Sequence, residues 1–150
     1  MTAHRTAEAV VNAIETPGSV ALGQLEFLYT PSTDVAADSR YFREVLGAEI
    51  VFAIEAMGTK VAMIRLGGEG PAILLTDHLD GNRPILVYRV DSLADAVAAL
   101  QARGWPRGRM LELPPGPACS FETPGGHRVA LYELSRPIVL ESFTGRQDFD

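Results

Sequence analysis

The chain has 150 residues, of which 47% are hydrophobic and 21% charged, as in a soluble globular protein of one domain. A net charge of −6 at pH 7 argues against nucleic acid and anionic membranes as partners, since both bind clustered cations. No apolar run has the about 18–20 residues of a membrane span, no signal-peptide core is visible and Cys119 is the single cysteine. We therefore expect a cytoplasmic protein without membrane or nucleic-acid partners.

Residues 6–16 have the pattern of a short amphipathic helix. Its apolar positions lie at i, i+3, i+4 and i+7, and are Ala7, Val10, Val11 and Ile14. Pro17-Gly18 would end the helix. We interpret residues 1–20 as an N-terminal extension that either packs on the domain or contacts a partner.

The first half, residues 21–78, predicts the order strand, helix and three strands. Leu25–Thr30 has strand alternation, and Asp34 is a suitable N-cap for a helix that ends before Gly47. The buried stripe predicted for this helix is Val35, Phe42, Val45 and Leu46. The three following strands are predicted over Ile50–Ala56, Lys60–Leu66 and Ala72–Asp77.

The second half, residues 84–134, repeats this order. A strand over Ile85–Val90 precedes a helix over Leu93–Arg103, with Ser92 and Asp95 as a capping box and Gly104 after it. Strands are then predicted over Met110–Leu113, Ala118–Glu122 and Arg128–Glu133, and residues 135–150 form a tail with weak patterning. The repeat predicts an α+β fold in which two βαβββ modules form one curved, eight-stranded mixed sheet with helices outside.

Several short segments in both halves carry a resemblance to a known family. They are Asp34 with Tyr41–Gly47 in the first half, and Val87–Leu93, Ala102–Gly104 and Phe121–Arg128 in the second. Over residues 24–133 the chain resembles the vicinal oxygen chelate superfamily, which includes glyoxalase I, extradiol dioxygenases, fosfomycin-resistance transferases and bleomycin-resistance proteins. The resemblance implies the paired fold and a central trough. It implies no single function, since the superfamily spans isomerases, lyases, transferases, oxygenases and binding proteins.

The resemblance also implies where a metal would be held, on the first and fourth strand of each half. Those positions carry Phe27, Leu74, Ile85 and Ala130, which have no donor atoms for a divalent ion. A shift of one residue would bring in Glu26 as the one possible ligand. We therefore expect neither a metal nor another cofactor.

The remaining metal-binding or nucleophilic residue types do not form a recognisable motif. His4, His78 and His127 lie in the N-terminal segment, the linker and a Pro-Gly-Gly turn, where we expect solvated side chains. Cys119 has no histidine beside it in sequence, which favours a buried apolar role.

Strand alternation indicates which side chains could line the trough. We predict a ligand-binding set consisting of Phe27, Tyr29, Arg89, Phe121 and Tyr132. Core packing is the alternative for the aromatic members, and an ion pair at the rim is the alternative for Arg89. Aromatic rings with an arginine fork would suit a flat or anionic organic molecule.

Three functions follow from these observations. The leading hypothesis is a metal-free protein that binds a small aromatic or anionic molecule, as bleomycin-resistance proteins bind their drugs. The second is an enzyme of the same fold, a metal-independent isomerase or lyase, that uses Tyr29, Arg89, Tyr132 or Glu26 as acid–base or electrostatic groups; no catalytic pair is identified. The third, a metal-dependent glyoxalase, lyase or dioxygenase, requires a different alignment. We also expect a homodimer, because the sheet leaves open edge strands and family members commonly pair.

Overall fold

A computed structural model describes residues 23–105 and 108–150, which form eight strands and three helices. The first half contains β1 (Gln24–Pro31), α1 (Val35–Glu44), β2 (Glu49–Ala56), β3 (Thr59–Arg65) and β4 (Ala72–Thr76). The second half contains β5 (Ile85–Val90), α2 (Leu93–Ala102), β6 (Arg109–Leu113), β7 (Gly116–Glu122) and β8 (Arg128–Glu133), and is followed by α3 (Pro137–Phe143). The helix predicted over residues 6–16 lies outside the described residues.

All eight strands belong to one curved, mixed sheet in the order β2-β3-β4-β1-β5-β8-β7-β6. Within each half, the first strand pairs in parallel with the last one, β1 with β4 and β5 with β8. The halves meet where β1 and β5 pair antiparallel. This is the paired βαβββ arrangement predicted from the sequence, and the prediction of fold class is confirmed.

The two faces of the sheet carry separate cores. The outer face is covered by α1 and α2, with Val35 of α1 above Ile64 and Leu75, and Leu93 of α2 above Cys119 and Leu131. Cys119 is buried there, as the sequence indicated. The concave face has its own cluster, described below, and no helix from within either half covers it.

The first two helices, α1 and α2, begin where side-chain caps satisfy free backbone N–H groups. The Asp34 carboxylate accepts a hydrogen bond from Ala37 N at 3.0 Å, and the Ser92 hydroxyl accepts one from Asp95 N at 3.2 Å. These are the caps expected from the sequence.

The end of α1 differs from the prediction. The helix stops at Glu44, and Val45 and Leu46, predicted to be buried, are 63% and 48% exposed. The reason is that the chain turns at Gly47, which has φ +71°, with Ala48 N donating to Phe42 O at 2.9 Å. Both side chains therefore leave the stripe that Val35 and Phe42 define.

The tail, residues 135–150, packs on the domain, although its weak sequence pattern gave no indication of such packing. Leu140 and Phe143 of α3 contact the concave cluster, and Phe149 contacts the cluster beneath α1. Residues 146–148 run beside β2, where Arg146 O accepts from Ala53 N at 2.8 Å and Asp148 N donates to Ala53 O at 2.7 Å. In the described ranges, no helix is long and apolar enough to cross a membrane.

The cap of α1 gives a direct test of this local structure. Replacing Asp34 by alanine removes the acceptor for Ala37 N, and we expect the free energy of unfolding to fall by about 1 kcal/mol. Urea unfolding followed by circular dichroism measures the change. Thr33→Ala, at the exposed neighbouring position, is the control and should change stability by less than half as much; an equal loss in both variants would contradict the capping role.

Candidate functional site

The concave face is lined by hydrocarbon and aromatic side chains. Its buried cluster consists of Phe27, Phe52, Met63, Ala72, Val87, Ala118, Ala130 and Tyr132. Partly buried apolar side chains of β1 to β6 and of α3 surround this cluster, including Tyr29, Ile54, Val61, Leu74, Ile85, Leu111, Leu140 and Phe143. The face is therefore an apolar surface with incomplete cover, the usual character of a small-molecule site.

The four positions at which the sequence resemblance implies metal ligands lie on this face. Strand register places Tyr29 opposite both Leu74 and Ile85, while Val87 stands opposite Phe27 and Ala130. Phe27, Leu74, Ile85 and Ala130 all belong to, or pack against, the concave cluster. Among the described residues, no three His, Cys, Asp or Glu side chains group closely enough to hold a metal ion. The donor set present here does not fit a divalent ion.

One end of the concave face carries a polar cluster around Glu26. The register of β1 against β5 shifts between Leu25 and Phe27, so Glu26 occupies a β-bulge. The Tyr132 hydroxyl donates to Glu26 Oε2, and Arg89 Nη1 lies 3.3 Å from Glu26 Oε1. Burial raises the pKa of Glu26 above its usual value, against the opposing effects of Arg89 and Arg65.

The other end carries a second polar cluster around Tyr29. The Tyr29 hydroxyl lies 2.7 Å from His78 Nε2, and His78 Nδ1 lies 2.6 Å from Thr76 Oγ1. The Tyr29 and His78 rings are 5.8 Å apart, and Thr76 is fully buried. Burial raises the pKa of Tyr29, while a hydrogen bond with Thr76 opposes the rise and the Asp77 charge adds to it. The phenol is therefore held in its protonated form.

Four of the five residues predicted to bind a ligand lie where the strand pattern placed them. Phe27 and Tyr132 are nearly completely buried with ring centroids 5.7 Å apart, while Tyr29 and Arg89 are partly exposed. Phe27 and Tyr132 thus form the floor of the concave face. Tyr29 and Arg89 have exposed side-chain surface that a ligand can contact.

Phe121 is on the opposite face, so its assignment to the trough is wrong. Its neighbours Ser120 and Glu122 pair with Ala130 and Arg128 on the concave side, which turns Phe121 outwards. There its ring meets Trp105 at 5.1 Å, beneath α2. Phe121 belongs to the packing of the second helix.

His78 is the functional candidate that the sequence did not reveal. The pattern placed it in a polar linker as a solvated side chain. In the fold, β4 lies beside β1 in parallel, with Thr76 opposite Pro31, and the residue two positions later reaches Tyr29. No local signal in the sequence indicates this contact, because it depends on a pairing between distant strands.

No protein-family model matches the chain, and no curated protein sequence is similar enough to match. Solved structures do match. Methylmalonyl-CoA epimerase from Mycobacterium tuberculosis has 18% identity and a TM-score of 0.64 over 81% of this chain and 93% of its own. A hypothetical protein from Bacillus halodurans C-125 has 13% identity and a TM-score of 0.58 over 73% and 93%. A glyoxalase/bleomycin resistance protein/dioxygenase superfamily member from Vibrio splendidus 12B01 has 15% identity and a TM-score of 0.53 over 71% and 94%.

The chain has the vicinal oxygen chelate fold. The resemblance expected from its sequence motifs is thereby confirmed at the level of fold. Identities below 20% leave the chemistry to be argued from this chain's own residues. In this chain, the four positions where the motifs would place metal ligands carry hydrocarbon side chains that belong to, or pack against, the concave cluster.

The raised pKa of Glu26 predicts a pH dependence of stability. Because the folded protein binds this proton more tightly than the unfolded chain, Glu26 favours folding at low pH, and this contribution is lost as pH rises above 4.5. In Glu26→Gln the side chain no longer titrates. We therefore expect the stability of wild type minus that of the variant to fall as the pH rises above 4.5.

Urea unfolding at a series of pH values measures this difference. The effect should be modest, since Glu26 is only partly buried. Glu69→Gln, in the exposed turn before β4, makes the same chemical change away from the concave face and is the control variant. A wild-type advantage that grows with pH would contradict the proposed environment of Glu26.

Proposed function

We propose that the protein binds a small, largely apolar aromatic molecule on the concave face, at the end where Tyr29 lies. The observation that carries this proposal is the row of partly exposed apolar side chains beside the Tyr29 hydroxyl. Tyr29 stands opposite Leu74 and Ile85, and Leu74 stands opposite Met63. A concave apolar surface with a few converging polar groups is the common form of a ligand site.

The Tyr29 cluster supplies the polar contact of this proposed site. With the proton of His78 on Nδ1, the ring donates to Thr76 Oγ1 and accepts from the Tyr29 hydroxyl at Nε2. With one lone pair engaged by Thr76, the phenolic oxygen keeps the other for a donor on the ligand. A ligand with a single hydroxyl or amine next to an aromatic ring satisfies this arrangement.

The charges near the site favour a neutral ligand over an anionic one. Arg89 already faces the Glu26 carboxylate, which offsets its charge. Arg128, which stands opposite Ile85, donates to the backbone oxygens of Asp80 at 2.9 Å and Arg83 at 3.2 Å. An anion would compete with these partners, so the aromatic half of the sequence-based hypothesis gains support and the anionic half loses it.

A matched pair of probes tests the proposal. We expect para-cresol, which is neutral, to bind wild-type protein and to shift the amide resonances of Tyr29 and Ile85 in NMR titrations. Its anionic analogue para-toluate should bind more weakly. Tyr29→Ala should weaken para-cresol binding by about 1–3 kcal/mol through lost contact area, and Tyr29→Phe by about 0.5–1.5 kcal/mol through the lost hydroxyl.

Two further variants control this experiment. Phe121→Leu alters an aromatic residue on the opposite face, and we expect its para-cresol affinity to equal that of wild type. Arg89→Lys should also leave para-cresol binding unchanged. Circular dichroism verifies that each variant is folded. Equal affinity in folded Tyr29→Ala and wild-type protein would remove Tyr29 from the site, and absence of para-cresol binding at millimolar concentration would count against the proposal.

The Glu26 cluster favours a second candidate function, an enzyme that transfers a proton. A partly buried carboxyl with a raised pKa, one hydrogen-bond donor and a neighbouring arginine is suited to take and return a proton. In this role Glu26 would remove a proton from carbon, the electron pair would move onto the adjoining carbonyl oxygen, and Arg89 would stabilise the resulting negative charge. The matched epimerase from Mycobacterium tuberculosis shows that this fold is compatible with enzymes.

Hydrogen–deuterium exchange tests the second candidate directly. If it holds, wild-type protein in deuterated water accelerates exchange at the acidic carbon of small ketones and thioesters, observed by proton NMR. We expect Glu26→Gln to reduce the enzyme-dependent rate by about 10²–10⁴-fold. Glu69→Gln should keep the wild-type rate. Exchange that is no faster than in buffer, for every compound of the panel, would exclude this candidate for those classes.

A further inference from the structure

The C-terminal segment crosses the open side of the sheet. We call residues 135–150, which include α3, the strap. Its two ends are attached near opposite edges of the eight-stranded sheet, whose edge strands are β6 and β2. A segment that joins both edges and packs on the concave cluster lies across the mouth of the trough.

The first attachment is to the β6–β7 hairpin. Ser135 N and Arg136 N donate to Pro115 O at 3.1 and 2.9 Å. The Arg136 side chain donates to Pro114 O at 2.9 Å and Leu113 O at 2.8 Å, and also pairs with Glu112. One arginine thus fixes the start of the strap to the turn of the hairpin.

The second attachment is to β2. Gly145 N donates to Val51 O at 2.9 Å, and the backbone bonds of Ala53 to Arg146 and Asp148 follow directly. The Asp148 carboxylate then accepts from Glu55 N at 2.9 Å and pairs with Arg146 at 2.6 Å. Hydrogen bonds from Glu55 and from the Arg146 guanidinium lower the pKa of Asp148, so this end stays charged at neutral pH.

Between these attachments, α3 presents two side chains to the trough. Leu140 and Phe143 pack against the concave cluster, and the Phe143 ring meets Phe52 edge-on at 5.6 Å. Ile138 of the same helix is 68% exposed. The helix therefore has a trough side and a solvent side, and only the trough side can meet a ligand.

We propose that the strap is a fixed wall that limits the ligand to about one aromatic ring, with Phe143 and Leu140 as the residues that set this size. This inference rests on the proposed function, because it concerns the same site. The strap occupies the trough above Phe52 in the first half and starts beside Leu113 in the second. The strap thus covers part of the concave face, and Tyr29 keeps a partly exposed side chain on that face.

Backbone bonds at both ends make the strap a wall rather than a lid. Opening it would expose the N–H or C=O groups of Val51, Ala53 and Pro115 together with two apolar side chains. A ligand that fits beside the strap avoids this cost, whereas a longer one must displace Phe143. The packing of the strap is therefore sufficient to make the protein select ligands by their length.

The experiment compares a one-ring and a two-ring probe in matched variants. Para-cresol and para-phenylphenol carry the same hydroxyl and differ by one ring. The double variant Leu140→Ala/Phe143→Ala removes the trough side of α3, and Ile138→Ala removes a side chain from its solvent side. Isothermal titration measures both affinities, and circular dichroism and thermal unfolding establish that each variant is folded.

We expect wild-type protein and Ile138→Ala to bind para-cresol and to reject para-phenylphenol. The double variant should gain at least about tenfold in affinity for para-phenylphenol, since the added ring is then buried in the space left by the two side chains. Its affinity for para-cresol should change by less than about threefold. Leu140→Ala alone keeps the contact of Phe143 with Phe52, so it serves if the double variant does not fold, and a smaller gain in the same direction is expected.

The outcomes separate this inference from the proposed function. Binding of para-cresol with no gain for para-phenylphenol in the folded variants would overturn the size-limiting role and leave the binding site standing. Tight binding of para-phenylphenol by wild-type protein would overturn it as well. Failure of both probes in every variant would overturn the proposed function, and the inference with it.

Discussion

The concave face depends on one contact, between Phe27 of β1 and Tyr132 of β8. The two rings are 5.7 Å apart and almost completely buried where the two halves of the sheet meet. Tyr132 also donates its hydroxyl to Glu26, so the same residue joins the halves and orients the buried carboxyl. Truncation of either ring would cost about 3–5 kcal/mol and, at Tyr132, would also leave Glu26 without its donor.

The apolar floor and the strap are consequences of the same substitution pattern. Metal ligands on β1, β4, β5 and β8 would need room for a metal, its water and their hydrogen-bonding partners. Hydrocarbon at Phe27, Leu74, Ile85 and Ala130 needs only apolar cover, which Leu140 and Phe143 help to supply. The strap can therefore lie in the trough because nothing charged is exposed beneath it at these positions. The same fold can therefore form either a trough lined by apolar side chains or a trough lined by metal ligands.

Local patterns in the sequence predicted what depends on local physics. Asp34 and Ser92 cap the two helices, and alternation places Phe27 and Tyr29 on the concave face, because these features need only neighbouring residues. The errors concern residues whose position is set by contacts with segments distant in the sequence. Phe121 was placed on the wrong face since the facing direction of β7 is set by its pairing with β8, and His78 reaches Tyr29 through the parallel pairing of β1 with β4. The strap has no helical stripe of its own and is held by contacts with β2 and the β6–β7 hairpin.

The strap also changes the argument for association of two chains. The expected homodimer was based on open sheet edges, which are prone to pair with other strands. Residues 146–148 already occupy the outer side of β2, leaving β6 as the edge without a neighbouring strand in the described part of the chain. Exposed apolar side chains also lie at the end of α1, where Tyr41, Val45 and Leu46 face solvent, and at Met57, Leu66, Met110 and Ile138. Association of two chains stays a prediction from the sequence, and in the described part of the chain β6 and the end of α1 are two surfaces available for it.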